Sequence, residues 1–108
     1  MVKIIEWEAL RKLLLQRSVT LIDVREPAEL SQGKIPTSLN VPLSALPNQL
    51  PQQVPDKKTP LVFYCMSGMR SGKAAEWAEQ VGGFSDVASY KGSWNEYSQL
   101  PEDKKIQQ

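Results

Sequence analysis

The sequence contains no histidine and a single cysteine, Cys65. A lone cysteine cannot close an internal disulfide, and the chain lacks the Cys and His ligand sets of structural zinc sites. It also lacks the imidazole base of Ser-His-Asp and Cys-His catalytic groups. No metal or organic cofactor is implied. If Cys65 is a nucleophile, something other than imidazole must activate its thiol.

An excess of one charge and long apolar runs are also missing. Thirteen basic and twelve acidic residues give a net charge of +1, and no basic stretch predicts nucleic-acid binding. The longest apolar runs, residues 13–15 and 61–66, are far shorter than the roughly 20 residues that cross a bilayer. The first twelve residues resemble neither a secretion signal nor a transit peptide. We therefore expect a cytoplasmic protein without membrane association.

The hydrophobic pattern alternates between strand-like and helix-like segments. With 108 residues and 41% hydrophobic content, we expect one domain over residues 1–100 and a polar, frayed tail over residues 101–108. The alternation predicts an α/β domain with a largely parallel sheet and helices on both faces. Strands are predicted at residues 4–5, 19–24, 39–41, 61–64 and 87–90, and helices at residues 6–15, 27–31, 43–50, 71–81 and around 94–97.

Cys65 follows the most strand-like segment and precedes the clearest helix. Ligands of parallel sheets bind beyond the carboxyl ends of strands, where backbone N–H groups and a helix N-terminus favour an anion. Such a loop can lower the pKa of a thiol from about 8.5. A buried cysteine alone is more often a small apolar residue, but the residues that follow favour an anion cradle. The predicted binding loop consists of Met66, Ser67, Gly68, Met69, Arg70 and Ser71.

Two similar loops do not fit this stretch. A phosphate-binding P-loop requires four residues between its glycines and a hydroxyl after its lysine, whereas three residues separate Gly68 from Gly72 and Ala74 follows Lys73. Cysteine-dependent phosphatases use a loop one residue longer than the one between Cys65 and Arg70. The shorter loop suits a single sulfur atom better than a phosphoryl group.

Three stretches, LIDVREPAELSQGKIPTSLNVPL, LVFYCMSGMRS and GGFSDVASYKGSWNEY, together resemble the rhodanese family over residues 21–97. The resemblance is greatest to small single-domain enzymes that act on thiosulfate, and it implies a five-stranded parallel sheet flanked by helices. Cys65 aligns with the family's sulfur-carrying cysteine, and Asp23 and Arg25 lie in its first signature. Where the family often has Gly-His-Ile-Pro, this chain has Lys34 in place of the histidine, a position to which we assign no chemistry.

The resemblance implies a thiosulfate sulfurtransferase that carries sulfur as a Cys65 persulfide. Arg70 is expected to orient the sulfonate end of the donor, whereas Asp23 and Arg25 are expected to support the site through an ion pair. The acceptor must come from outside the chain, as cyanide in an assay or as glutathione or a protein thiol in the cell. Two alternatives stay open: a non-catalytic rhodanese-like binding or regulatory module, and a small Cys-dependent phosphatase or arsenate reductase.

Overall fold

The structure, a computed structural model, describes residues 2–106. Its centre is one sheet in which every strand pairing is parallel. The spatial order of the strands is β1-β5-β4-β2-β3, so the strand that leads into Cys65 lies in the middle. The strands are β1 Lys3–Ile5, β2 Thr20–Asp23, β3 Leu39–Asn40, β4 Leu61–Tyr64 and β5 Val87–Tyr90.

Helices cover both faces of this sheet because its inner strands are apolar on both sides. Successive residues of β2 separate into two buried clusters: Leu21 packs with residues of α1 and α4, and Ile22 packs with residues of α2 and α3. The five-stranded parallel sheet flanked by helices is therefore confirmed. The helices are α1 Trp7–Leu15, α2 Leu46–Gln53, α3 Met69–Gln80 and α4 Ser93–Tyr97, with short 3₁₀ helices at Pro27–Gln32, Leu43–Ala45 and Glu102–Lys104.

Several helix boundaries differ from the prediction. The segment after Pro27 is a 3₁₀ helix, which ends at Gly33 with φ 115°. Helix α3 begins at Met69, two residues before the predicted start, because Gly68 adopts a left-handed conformation at its N-cap. Val81 lies just beyond the end of α3 and is 72% exposed, although its spacing placed it on the apolar face.

The C-terminal segment differs from the expected frayed tail over residues 101–106. The Nε1 group of Trp7 donates a 2.7 Å hydrogen bond to the carbonyl of Lys104, and Ile106 packs against the cluster that contains Trp7. These contacts supply the buried apolar surface that a polar tail lacks. Residues 107 and 108 lie outside the described residues. Within residues 2–106, no helix has the length and apolar character needed to cross a bilayer.

Candidate active site

Cys65 lies at the carboxyl end of the central strand β4, where it is completely buried. The chain then turns sharply and enters α3 at Met69. Gly68 makes this turn with φ 100°, and a Cβ atom on it would lie 2.7 Å from the carbonyl oxygen of Lys91. Glycine is therefore required here for two reasons: its backbone conformation and the close approach of the neighbouring chain.

The loop surrounds the sulfur of Cys65 with hydrogen-bond donors. The amide of Gly68 donates to Sγ at 3.1 Å and the amide of Ser71 donates at 3.4 Å, while the Ser71 hydroxyl lies 3.7 Å from Sγ. Burial by itself would raise the pKa of Cys65, but the hydrogen bonds from Ser71, Gly68 and Ser67 outweigh it and lower the pKa below its usual value. The hydrogen bonds of the loop thus activate the Cys65 thiol, since the chain has no histidine to do so.

A pair of buried hydroxyl groups extends this network away from the sulfur. Ser71 Oγ donates to the carbonyl of Gly68 at 3.1 Å and lies 2.8 Å from Ser89 Oγ. Both serines are buried. Ser89 was not among the predicted site residues, although a serine within the otherwise apolar strand β5 is the signal that could have found it.

The first turn of α4 holds the backbone of the loop in place. Ser93 Oγ accepts a hydrogen bond from the amide of Cys65 at 3.2 Å and donates to the carbonyl of Tyr90 at 2.9 Å. The amides of Trp94 and Asn95 donate to the carbonyls of Cys65 and Met66, both at 2.9 Å. Ser93 holds this position with φ 53°, a conformation that non-glycine residues rarely adopt and that is found at functional sites. The sequence gives no local signal for it.

Arg70 does not stand free beside the sulfur, because its guanidinium is bound by Glu29. Nη1 donates to Oε1 at 2.7 Å and Nη2 donates to Oε2 at 2.9 Å, and the two side chains are 34% and 24% exposed. The hydrogen bond from Arg70 is the main cause that lowers the pKa of Glu29 to about 2, and it raises the pKa of Arg70 in turn. Sequence reasoning missed Glu29 because it lies 41 residues before Arg70 in the chain. The 3₁₀ helix brings its side chain to the guanidinium.

Asp23 and Arg25 form a completely buried ion pair beneath the site. Arg25 donates to both carboxylate oxygens of Asp23 at 2.8–3.2 Å, and the hydroxyl of Tyr64 donates to Asp23 Oδ2 at 2.8 Å. Arg25 also binds the carbonyls of Gly33 at 2.8 Å and Glu29 at 3.4 Å. The pair therefore supports the segment that carries Glu29 and makes no hydrogen bond to Cys65.

The remaining loop residues are placed around the opening of the cradle. Ser67 contributes its amide to the sulfur, Met66 is held through its carbonyl, and the side chain of Met69 is 75% exposed. Within residues 2–106, no group of three or more Cys, Asp or Glu side chains is arranged to hold a metal ion. The arrangement is suited to stabilising an anionic sulfur atom and a second sulfur bonded to it.

Comparisons with known proteins agree with this geometry. Residues 6–100 match the family of the Rhodanese-like domain. The chain is 43% identical over 93 residues to the Rhodanese domain-containing protein CG4456 of Drosophila melanogaster, covering 75% of this chain and 83% of the fly protein. It is 38% identical over 98 residues to Thiosulfate:glutathione sulfurtransferase of Saccharomyces cerevisiae, covering 81% and 70%. The structure of human single-domain sulfurtransferase TSTD1 superposes with a TM-score of 0.81 at 27% identity, covering 94% and 100%.

Proposed function

Because this chain belongs to the rhodanese-like domain family and its relatives include sulfurtransferases, we propose that it transfers the outer sulfur atom of thiosulfate through a persulfide on Cys65. The observation that carries the proposal is the buried sulfur of Cys65, which accepts amide hydrogen bonds and has a lowered pKa. A thiolate is the nucleophilic form of cysteine.

In the first half-reaction, the Cys65 thiolate attacks the outer sulfur of thiosulfate. The bond between the two sulfur atoms of thiosulfate breaks, and sulfite leaves with its electron pair. The product on the enzyme is a persulfide anion. The amides of Gly68 and Ser71 donate to the attacking sulfur before the step, and the same loop can donate to the new outer sulfur after it.

Arg70 is the proposed binding group for the sulfonate of the donor. Its bidentate bond to Glu29 uses one N–H of each terminal nitrogen, so further N–H groups of the guanidinium stay available to an anion. In this proposal Glu29 fixes the plane of the guanidinium, and the free N–H groups bind sulfonate oxygens. The other loop residues from Met66 to Ser71 form the rest of the binding site.

The second half-reaction requires an acceptor from outside the chain, since Cys65 is the only cysteine. We propose cyanide as the acceptor in an assay, and glutathione or a protein thiol in the cell. The persulfide gives its outer sulfur to the acceptor, and the Cys65 thiolate leaves. The cytoplasmic location predicted from the sequence stays a prediction.

Intact-protein mass spectrometry tests the proposal directly. After exposure to thiosulfate, the protein should gain the mass of one sulfur atom, and cyanide should remove it with release of thiocyanate. The variant Cys65→Ser should gain nothing while keeping a native circular dichroism spectrum. A wild-type protein that gains no sulfur would leave the non-catalytic module as the better explanation, and activity on a phosphate ester without sulfur uptake would favour the phosphatase.

A further inference from the structure

A cavity of about 340 Å³ lies against the active-site loop. Its lining includes Ser67 and Gly68 of the loop, Gly72 and Glu76 of α3, Ile4 of β1, and Lys91, which follows β5. The amide of Gly68 donates to the sulfur of Cys65 at 3.1 Å, so the cavity and the sulfur contact the same residue. Gly68, which donates to the sulfur, is therefore also part of the cavity wall.

This cavity is separate from the side of the loop that Arg70 occupies. Residues two positions apart on a helix point in different directions, so Gly72 faces away from Arg70. No side chain fills the space at Gly72, since a Cβ atom built there would meet no other atom within 4 Å. Arg70, the proposed sulfonate-binding group, therefore lies on one side of the loop and the cavity lies on the other. The two sides differ in chemistry.

The charges and apolar surface of the cavity indicate its ligand. Lys91 supplies a cation, and its only ion pair within residues 2–106 is an exposed 4.0 Å contact with Glu6, which contributes little. Glu76 supplies an anion on the facing helix. Ile4, which is 68% exposed, supplies apolar surface in the same lining. A volume of this size lies at the small end of ligand pockets.

We propose that this cavity is the acceptor subsite, and that it binds a short peptide thiol that carries both a carboxylate and an ammonium group, such as glutathione. Lys91 binds the carboxylate and Glu76 binds the ammonium. This inference rests on the proposed function. The thiol attacks the outer sulfur of the Cys65 persulfide, the bond from that sulfur to Sγ breaks, and Sγ leaves as a thiolate. The proton of the attacking thiol moves to the transferred sulfur, which is the outer sulfur of the product persulfide, so atoms and charge balance.

Filling the cavity tests the subsite. Gly72→Leu adds a side chain where there is space, and leucine is a better helix former than glycine. With enzyme preloaded by thiosulfate, the rate of discharge by glutathione should fall about tenfold or more, while discharge by cyanide should change less than about twofold. Lys73→Leu places the same side chain on the exposed side of α3 and is the matched control. It should leave both rates unchanged.

Charge reversal tests the recognition chemistry. Lys91→Glu should slow discharge by glutathione about tenfold and leave discharge by the neutral thiol 2-mercaptoethanol within about twofold of wild type. Lys73→Glu makes the same change in net charge outside the cavity and should slow neither. An equal loss in both variants would mean long-range charge attraction and would overturn the subsite.

The outcomes separate this inference from the proposed function. If the protein takes no sulfur from thiosulfate, the proposed function fails and the subsite fails with it. If loading and cyanide discharge are normal but glutathione reacts no faster than 2-mercaptoethanol, or reacts equally fast in Gly72→Leu, only the subsite fails. Selective loss of glutathione discharge in Gly72→Leu and Lys91→Glu would establish it.

Discussion

Two arginine–carboxylate pairs, built from the same chemical groups, have different surroundings. Asp23 and Arg25 are completely buried, whereas Glu29 and Arg70 are 24% and 34% exposed at the opening of the site. The buried pair also has Tyr64 and backbone carbonyls as partners, so neither group can change partner. The outer pair is partly exposed, and each terminal nitrogen of Arg70 has an N–H group that its bond to Glu29 does not use. Burial thus distinguishes an ion pair that supports the fold from one that is available for binding.

Breaking the buried pair should give the largest effect. Asp23→Asn leaves the guanidinium of Arg25 buried without its anion, and removing one partner of such a pair costs about 3–5 kcal/mol. We expect the free energy of unfolding to fall by about that amount in urea titrations followed by circular dichroism. A loss below about 1 kcal/mol would show that the buried pair is no more structural than the outer one.

Breaking the outer pair at Arg70 should affect catalysis instead. A charge-assisted hydrogen bond contributes about 1.5–3 kcal/mol, so Arg70→Ala should lower kcat/KM for thiosulfate about ten- to a hundredfold. Arg70→Lys should recover part of this, because an ammonium keeps the charge but lacks the planar fork. Stopped-flow measurement of the two half-reactions provides the check. Loading should slow much more than cyanide discharge, and an equal loss in both would contradict a role in donor binding.

Neutralising the partner of Arg70 gives a smaller, pH-dependent effect. The pKa of Glu29 is lowered from 4.5 to about 2, so its contribution to stability is complete above about pH 4.5 and is lost as the pH falls toward 2. In urea titrations, the free energy of unfolding should fall less in Glu29→Gln than in wild type as the pH is lowered from about 4.5 toward 2. An equal loss of stability in Glu29→Gln and wild type over this range would contradict the assignment.

The smallest effect is expected from removing one buried hydroxyl group, either beside the sulfur or next to the buried ion pair. Ser89 supports Ser71 beside the sulfur, whereas Ser38 bonds to Tyr64 next to the buried ion pair. Ser89→Ala should raise the pKa of Cys65, because Ser71 loses a polarising partner. The pH dependence of alkylation by iodoacetamide measures this shift. Ser38→Ala should lower the free energy of unfolding without moving the pH dependence of alkylation. In a Ser71→Ala background, Ser89→Ala should give no further shift in the pKa of Cys65.

The sequence predicted the sheet and the position of Cys65 because both depend on local patterns. Apolar runs ending in a glycine-containing loop indicate a strand, a turn and a helix wherever they occur. Glu29 and Ser93 could not be found in this way, since tertiary contacts bring them to the loop from distant segments. The bond between Arg70 and Glu29 was missed for the same reason. Arg70 had been expected to bind only the donor.

The pairing of β1 with β5 joins residues 3–5 to residues 88–90, and the turn that holds the amide of Cys65 lies beyond them at Ser93. The position of the loop therefore depends on contacts between segments that are far apart in the sequence. Contacts of such large sequence separation also form late because loop closure costs entropy. The donors to the Cys65 sulfur are thus held in place only once these long-range contacts have formed, so the lowered pKa of the thiol is a property of the folded domain.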